Sequence, residues 1–149
     1  MNQNIWGPHM WFVLHTITFN YPIDPNQEMI KYHNDFLYSL QYVLPCNVCR
    51  KHYKRHLKEN PPNEALKSRD NFIKWMIDLH NDVNGETGKK NTYTYQEIIS
   101  RYEKVYNMKI INNISDEEVK KKNNLNHYYQ IIIIFIMIIF IYYFFKIKK

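Results

Sequence analysis

The sequence predicts an all-α protein: a four-helix bundle with a short fifth helix, followed by a C-terminal transmembrane helix. Three observations carry this. Several segments place apolar residues at helical spacing, and no stretch shows the period-2 alternation of a half-buried strand. Helix starts and stops fall between them, at Asp24-Pro25, Pro45, Pro61-Pro62, Asn84-Gly85 and Thr94. Residues 131–145 form an unbroken apolar run, closed by Lys146-Ile147-Lys148-Lys149.

The first helix runs from about Pro8 to Asn20. Trp11, Leu14, Thr18 and Tyr21 fall at i, i+3, i+7 and i+10, and Pro8 suits a first turn, where its missing N–H breaks no bond. The second opens at Asp24-Pro25-Asn26-Gln27, with Pro at N1 and Gln at N3. It presents His33, Leu37, Leu40 and Leu44 on one side and stops before Pro45. The third carries the cysteines and continues to about Lys58, ended by Pro61-Pro62. The fourth opens near Ser68, aligns Phe72, Met76, Leu79 and Val83, and stops at Asn84-Gly85. The fifth begins at Thr94-Tyr95-Gln96-Glu97, a capping-box pattern, and buries Ile98, Ile99, Tyr102 and Val105 or Tyr106. Short helices with short connections make a bundle over residues 1–106.

Residues 107–127 are polar and rich in Asn and Lys, the composition of a flexible tether. The apolar run that follows has no polar stripe, whereas a core helix of a small domain keeps one. Counted from Tyr128 to Phe145 it spans about 27 Å at 1.5 Å per residue, enough for a thin bilayer. Tyrosines at both ends and lysines beyond them suit the two interfaces. Residues 128–149 are therefore expected to anchor the chain in a membrane.

A chain of 149 residues has room for one domain with a modest core. Through Tyr106, 13 Lys and Arg oppose 11 Asp and Glu; from Asn107 onward 7 oppose 3, so most of the net +6 lies in the tail. That distribution suits a membrane-flanking tail better than a nucleic-acid-binding body, and no nucleic-acid partner is expected. Without a signal peptide or a second cysteine pair, a disulfide-stapled secreted scaffold is not expected.

Cys46 and Cys49 are the only cysteines, in Pro45-Cys46-Asn47-Val48-Cys49-Arg50 between two helical segments. Such a pair brings two thiols within disulfide reach, and a helix start lowers a thiol's pKa. A two-residue loop removes little entropy from the unfolded chain, so a cross-link there adds little stability and points to redox or metal chemistry. For zinc, Cys46, Cys49, His52 and His56 supply the right ligand types, but one helix advances about 15 Å between the first and the last, too far to converge on one ion. A thioredoxin-like dithiol needs a strand before the pair, and Phe36 to Leu44 has helical spacing. No metal is expected.

The remaining motifs bear on the third possibility, flavin-linked thiol oxidation. Trp6-Gly7-Pro8-His9-Met10-Trp11-Phe12-Val13-Leu14-His15 resembles the WGxxxWxxLH opening of the Erv/ALR family of FAD-dependent sulfhydryl oxidases. The resemblance continues in order through Tyr21-Pro22, the Cys46–Cys49 segment with Tyr53, then Trp75, and His80-Asn81-Asp82-Val83-Asn84-Gly85-Glu86-Thr87-Gly88-Lys89, similar to an HNxVNxxxGK element. It covers about Trp6 to Tyr106, and the single cysteine pair looks most like the viral branch.

The resemblance implies a bundle holding FAD at one end, with the CxxC helix against the isoalloxazine ring. Cys49 is then the thiol beside the flavin, and Cys46 exchanges with the incoming substrate thiol. Electrons pass from dithiol to flavin to oxygen, giving hydrogen peroxide; the cofactor supplies the oxygen chemistry. By the same matching, Trp6, Gly7, Trp11 and His15 line the cofactor site from the first helix and Tyr53 from the third. Trp75, His80, Asn81, Val83, Asn84 and Lys89 surround it from the fourth helix and its exit loop, with Lys90 an alternative to Lys89 at the phosphates. Aromatic faces stack on rings, while Lys and polar groups meet phosphate and ribose.

Many relatives carry a second, shuttle cysteine pair and structural disulfides, and this chain has neither. The implied partner is a separate dithiol protein, and a homodimer is expected. The body is expected to face the cytosol from an intracellular or virion membrane, because nothing N-terminal directs export. The rival reading is a membrane-tethered binding protein that keeps the fold without oxidase turnover.

Overall fold

Asn2 starts the bundle: its side-chain oxygen accepts the Asn4 N–H at 2.9 Å and opens α1 (Gln3–Phe19). The structure, a computed structural model, describes residues 1–90, 92–108, 110 and 127–137. The chain divides into two units, Met1–Ile110 and Ile111–Lys149.

The first unit continues with α2 (Gln27–Val43), α3 (Asn47–Glu59), a short 3-10 turn (Ala65–Lys67), α4 (Arg69–Glu86) and α5 (Tyr95–Tyr106). Among the described residues there is no strand. The expected elements are present, with displaced ends that have local causes. Pro8 lies inside α1, because the Asn2 cap starts the helix at Gln3. Asn26, not Asp24, caps α2: its Oδ1 accepts the Met29 N–H at 2.8 Å, and Pro25 precedes the cap. Asn84-Gly85 does not end α4. Gly88, at φ 71°, does, turning the chain so that its N–H meets the Gly85 carbonyl at 3.2 Å and the Lys89 N–H meets that of Asn84 at 2.9 Å. This Schellman closure needs a left-handed residue, which glycine adopts without penalty.

Burial follows the helical spacing. Leu14, Tyr21, Leu37, Leu40, Leu57, Leu66, Phe72 and Met76 share one core, each fully buried Leu, Phe or Met contributing roughly 1.5–3 kcal/mol. α1 packs on α4, α2 on α3 and α5 on α4, with the 3-10 turn touching both α2 and α4. Tyr21 donates its hydroxyl to the Leu66 carbonyl at 2.8 Å, and Arg69 donates to the Tyr21 carbonyl, so the chain after α1 is bonded to the segment that opens α4. On α5, Ile98, Ile99 and Tyr102 are buried as expected, whereas Val105 and Tyr106 are exposed. Asn107 is left-handed (φ 49°) and ends the helix, and Ile110 is buried in their place, its N–H on the Glu103 carboxylate at 2.9 Å.

In the second unit residues 127–137 are helical, with exposed side chains. Among the described residues no helix is long and apolar enough to cross a membrane. The rest of the expected anchor, residues 138–149, and nearly all of the expected tether lie outside the described residues.

Candidate redox site

Cys46 and Cys49 form a disulfide with Cα atoms 5.1 Å apart. Cys46 is the N-cap of α3, and its Sγ accepts the Cys49 N–H at 3.2 Å. On reduction, the N–H groups and dipole of the first turn favour a thiolate at this position. Arg50 does not spend its guanidinium on the sulfurs; it donates to the Leu44 carbonyl and to Asn47 Oδ1, fixing the turn that leads into the helix.

The two cysteines open on different spaces. Cys49 lines a cleft of about 280 Å³ together with Trp6, Gly7, Met10, Trp11, Tyr53 and Val83. Cys46 lines an outer hollow of about 450 Å³ with Val43, Leu44, Pro45 and Val48. A second cavity of about 430 Å³ is lined by His15, His80, Asn84, Tyr93, Arg101 and Tyr102. Trp11 and Lys89 line both this cavity and the Cys49 cleft, so the two adjoin.

Histidine chemistry marks the second cavity. His15 Nε2 and His80 Nδ1 lie 3.0 Å apart, and Trp11 stacks on the His80 ring at 4.0 Å and 9°. Burial, with Arg101 adding to it, lowers the His15 pKa to about 4. Burial, then His15, Lys89 and Arg101, lowers that of His80 to about 3. Both rings are therefore neutral at neutral pH, one donating and one accepting. Tyr53 is held by a hydroxyl bond to the Leu37 carbonyl at 3.0 Å, and burial raises its pKa, keeping it a neutral wall of the cleft.

On the cleft's other flank, Glu86 joins three cations or potential cations of α3. Its Oε2 lies 2.9 Å from His52 Nδ1, its Oε1 lies 3.0 Å from His56 Nε2, and Arg55 donates to it. The His56 contact makes no hydrogen bond, and burial first of all lowers the His56 pKa. His52 and His56 are thus held by a carboxylate of α4.

Of the residues expected at the site, Trp6, Gly7, Trp11, Tyr53, Val83 and Lys89 line the Cys49 cleft, and His15, His80 and Asn84 line the adjoining cavity. Three line neither. Trp75 is core, its Nε1 donating to the Asn60 carbonyl at 3.0 Å. Asn81 exchanges two bonds with the Tyr93 backbone, at 2.9 and 2.7 Å, and so ties the exit loop to α4. Lys90 is exposed. The sequence reading missed Gln3, Met10, His52 and Glu86 in the cleft and Tyr93 and Arg101 in the cavity. Gln3, Trp6 and Met10 fall at i, i+3 and i+7, a signal that a helix start at Pro8 concealed.

The profile of the Erv1 / Alr family matches residues 8–104. The chain belongs to this family. The probable FAD-linked sulfhydryl oxidase of Acanthamoeba polyphaga mimivirus is 43% identical over 110 residues, covering 73% of this chain and 76% of that protein. A putative FAD-linked sulfhydryl oxidase of Invertebrate iridescent virus 6 is 31% identical over 94 residues, 60% of this chain and 85% of its own. Among solved structures, the FAD binding domain of Erv1 from Saccharomyces cerevisiae is similar at a TM-score of 0.60 and 28% identity, covering 64% of this chain and 89% of that one. The Erv1 / Alr match includes both cysteines, the stacked Trp11–His80 pair and the Gly88 turn.

Proposed function

We propose that this chain is an FAD-linked sulfhydryl oxidase that forms disulfides in a separate dithiol protein, with oxygen as final acceptor and hydrogen peroxide as product. The observation that carries the proposal is the division of the disulfide, Cys49 facing the aromatic cleft and Cys46 the outer hollow. A substrate thiolate attacks Cys46 Sγ from the hollow, and the broken bond leaves Cys49 as a thiolate in the cleft. The substrate's second thiolate then attacks its own sulfur in the mixed disulfide and releases Cys46. The substrate leaves oxidised by two electrons, and the Cys46–Cys49 pair is reduced.

The residues present fit the cofactor. Trp6 Nε1 and His15 Nδ1 are buried without partners, one on each cavity, and polar atoms buried in this way call for a ligand. The aromatic and apolar cleft suits a flat ring, Trp6 offering its N–H to an acceptor on it. His80, Asn84 and Tyr93 suit the adenine and ribose, and Lys89, on the wall of both cavities, suits the phosphates between them. Bound FAD supplies the two-electron acceptor that returns the dithiol to a disulfide and passes the electrons to oxygen. The chain's own residues hold that acceptor beside Cys49, present Cys46 outward, and keep His15 and His80 neutral.

Two further readings belong to the proposal. Residues 128–149 anchor the chain in an intracellular or virion membrane with the oxidase body in the cytosol, a reading supported by the apolar run and its flanking Tyr and Lys. A homodimer is supported by the exposed apolar residues of α1, Ile5 and Val13. The deciding experiment is an absorption spectrum of the purified full chain, followed by dithiol addition. Flavin absorbance that bleaches anaerobically, and recovers in air with peroxide release, is expected. A protein that stays colourless after reconstitution with FAD rules the oxidase out.

A further inference from the structure

We infer that the outward face of α3 docks a dithiol protein bearing acidic residues beside its thiols, and steers that partner onto Cys46. The inference rests on the oxidase reading of the same disulfide and names its substrate class. Within residues 1–106, α3 carries Arg50, Lys51, Lys54, Arg55 and Lys58 against one acidic residue, Glu59, while the other positions carry 8 basic and 10 acidic residues. The near-neutral count of the body therefore conceals a positive helix on an otherwise acidic frame, and that helix is the one carrying the disulfide.

Not all of this charge is available. Arg50 is bonded to Leu44 and Asn47, and Arg55 to Glu86 with Glu59 alongside. Lys51, Lys54 and Lys58 are exposed and form no ion pair among the described residues. They fall at i, i+3 and i+7, a stripe about 10 Å long on one face. Val48, one turn before Lys51 and 59% exposed, is a wall of the Cys46 hollow. The stripe thus begins where the hollow ends. The hollow's other walls are mixed, Met1, Val43, Leu44 and Pro45 on the apolar side and Asn47 and Arg50 on the polar side.

The combination selects a partner. Positive charge without an ion-pair partner, beginning about 8 Å along α3 from the cysteine under attack, attracts an anionic protein and raises its association rate. It also favours the thiolate form of the incoming thiol, the only form that attacks. A hollow at the disulfide with an apolar side and the Asn47–Arg50 side seats the residues next to that thiol. A groove for single-stranded nucleic acid presents stacking aromatics among its cations. Of the rings on α3, Tyr53 is buried with its hydroxyl on Leu37, and His52 and His56 both lie against the Glu86 carboxylate, so none is free to stack on a base. The chemistry on this face is the disulfide exchange already written, with the partner's two thiol protons passing to solvent.

The test uses the full chain, anaerobic and with Cys46–Cys49 oxidised. Two synthetic dithiol peptides share one apolar CxxC core, one flanked by Glu and the other by Lys. The second-order rate of disulfide reduction is read by alkylation and mass shift, without reference to the flavin. At low salt the acidic peptide is expected to react at least about tenfold faster, an advantage that shrinks toward equality near 0.5 M salt. In a Lys54→Glu/Lys58→Glu variant the ratio is expected to flatten or invert, and because both peptides meet the same protein, altered folding cancels. Equal rates at low salt, or a ratio the variant leaves unchanged, overturn the inference. So does an oligonucleotide bound near 150 mM salt by the parent chain and not by the variant, with the peptide ratio at one. Oxygen uptake with dithiothreitol is read separately: its absence overturns the oxidase reading and leaves the exchange ratio intact.

Discussion

His15 Nε2 and His80 Nδ1 meet at 3.0 Å across α1 and α4, and one ring must donate while the other accepts. Protonating the accepting ring would place a second N–H in that bond, and protonating either ring would bury a charge beside Arg101. The folded pKa values, about 4 and about 3, lie below the unfolded value of 6.5. Below pH 6.5 the unfolded chain therefore binds protons that the folded chain refuses. Stability is full above that pH and falls as pH drops toward 4, by an amount on the order of 3 kcal/mol for His15. Urea midpoints between pH 7.5 and 4.5 should decline on this course, and less so in His15→Gln. A midpoint that stays level through this range contradicts the burial of both rings in neutral form.

Asn81 is predicted to act on the cofactor site through the loop it holds. Its amide exchanges two bonds with the Tyr93 backbone, and Tyr93 lines the second cavity. Asn81→Ala leaves both half-buried backbone groups of Tyr93 without these partners, at a cost of about 1–3 kcal/mol. The melting temperature should fall by several degrees, and FAD retention through gel filtration should drop. Unchanged melting would mean the loop is held by other contacts.

The contrast between Asn81 and Trp11 shows what was legible in the sequence. Helical spacing placed Leu14, Leu37, Phe72 and Met76 in one core, because apolar periodicity and burial have one physical origin. The motifs point to Trp11, His15, His80 and Lys89, and these residues line two adjoining cavities. A motif does not distinguish a wall residue from a support: Trp75 packs in the core and Asn81 ties a loop, and neither lines a cavity. Glu86 was missed because its partners, His52 and Arg55, lie more than 30 positions away, and only the packing of α3 beside α4 joins them. The basic face of α3 was hidden by counting charge over the whole body.

The capping box that starts α5 was legible from four residues, and its energetic weight can be measured. Thr94 Oγ1 accepts the Glu97 N–H at 3.3 Å, and Glu97 accepts the Thr94 N–H at 2.8 Å. Thr94→Ala removes the first of these and should cost about 0.5–2 kcal/mol. Because α5 contributes Ile98 and Tyr102 to the wall of the second cavity, the loss should appear both in urea unfolding and in faster FAD dissociation. A Thr94→Ser variant keeps the acceptor and should behave like the parent chain.

The division of the cysteine pair gives the sharpest test of the redox site. Cys49 lines the cleft assigned to the flavin ring, and Cys46 lines the outer hollow. Cys46→Ser leaves a single thiol facing the cleft, and Cys49→Ser leaves one facing solvent at the cap of α3. Both variants lose turnover, since a disulfide needs both sulfurs, so activity alone does not separate their roles. Alkylation does. FAD should slow iodoacetamide modification of Cys49 in Cys46→Ser by about tenfold or more, because a ring in the cleft removes the approach to a thiol whose reactivity depends on access and thiolate fraction. Modification of Cys46 in Cys49→Ser should change little when FAD is added. Equal protection of both thiols would place the cofactor over the whole pair and leave no side for substrate. Protection of Cys46 alone would reverse the roles, with Cys46 beside the acceptor and Cys49 exchanging with substrate.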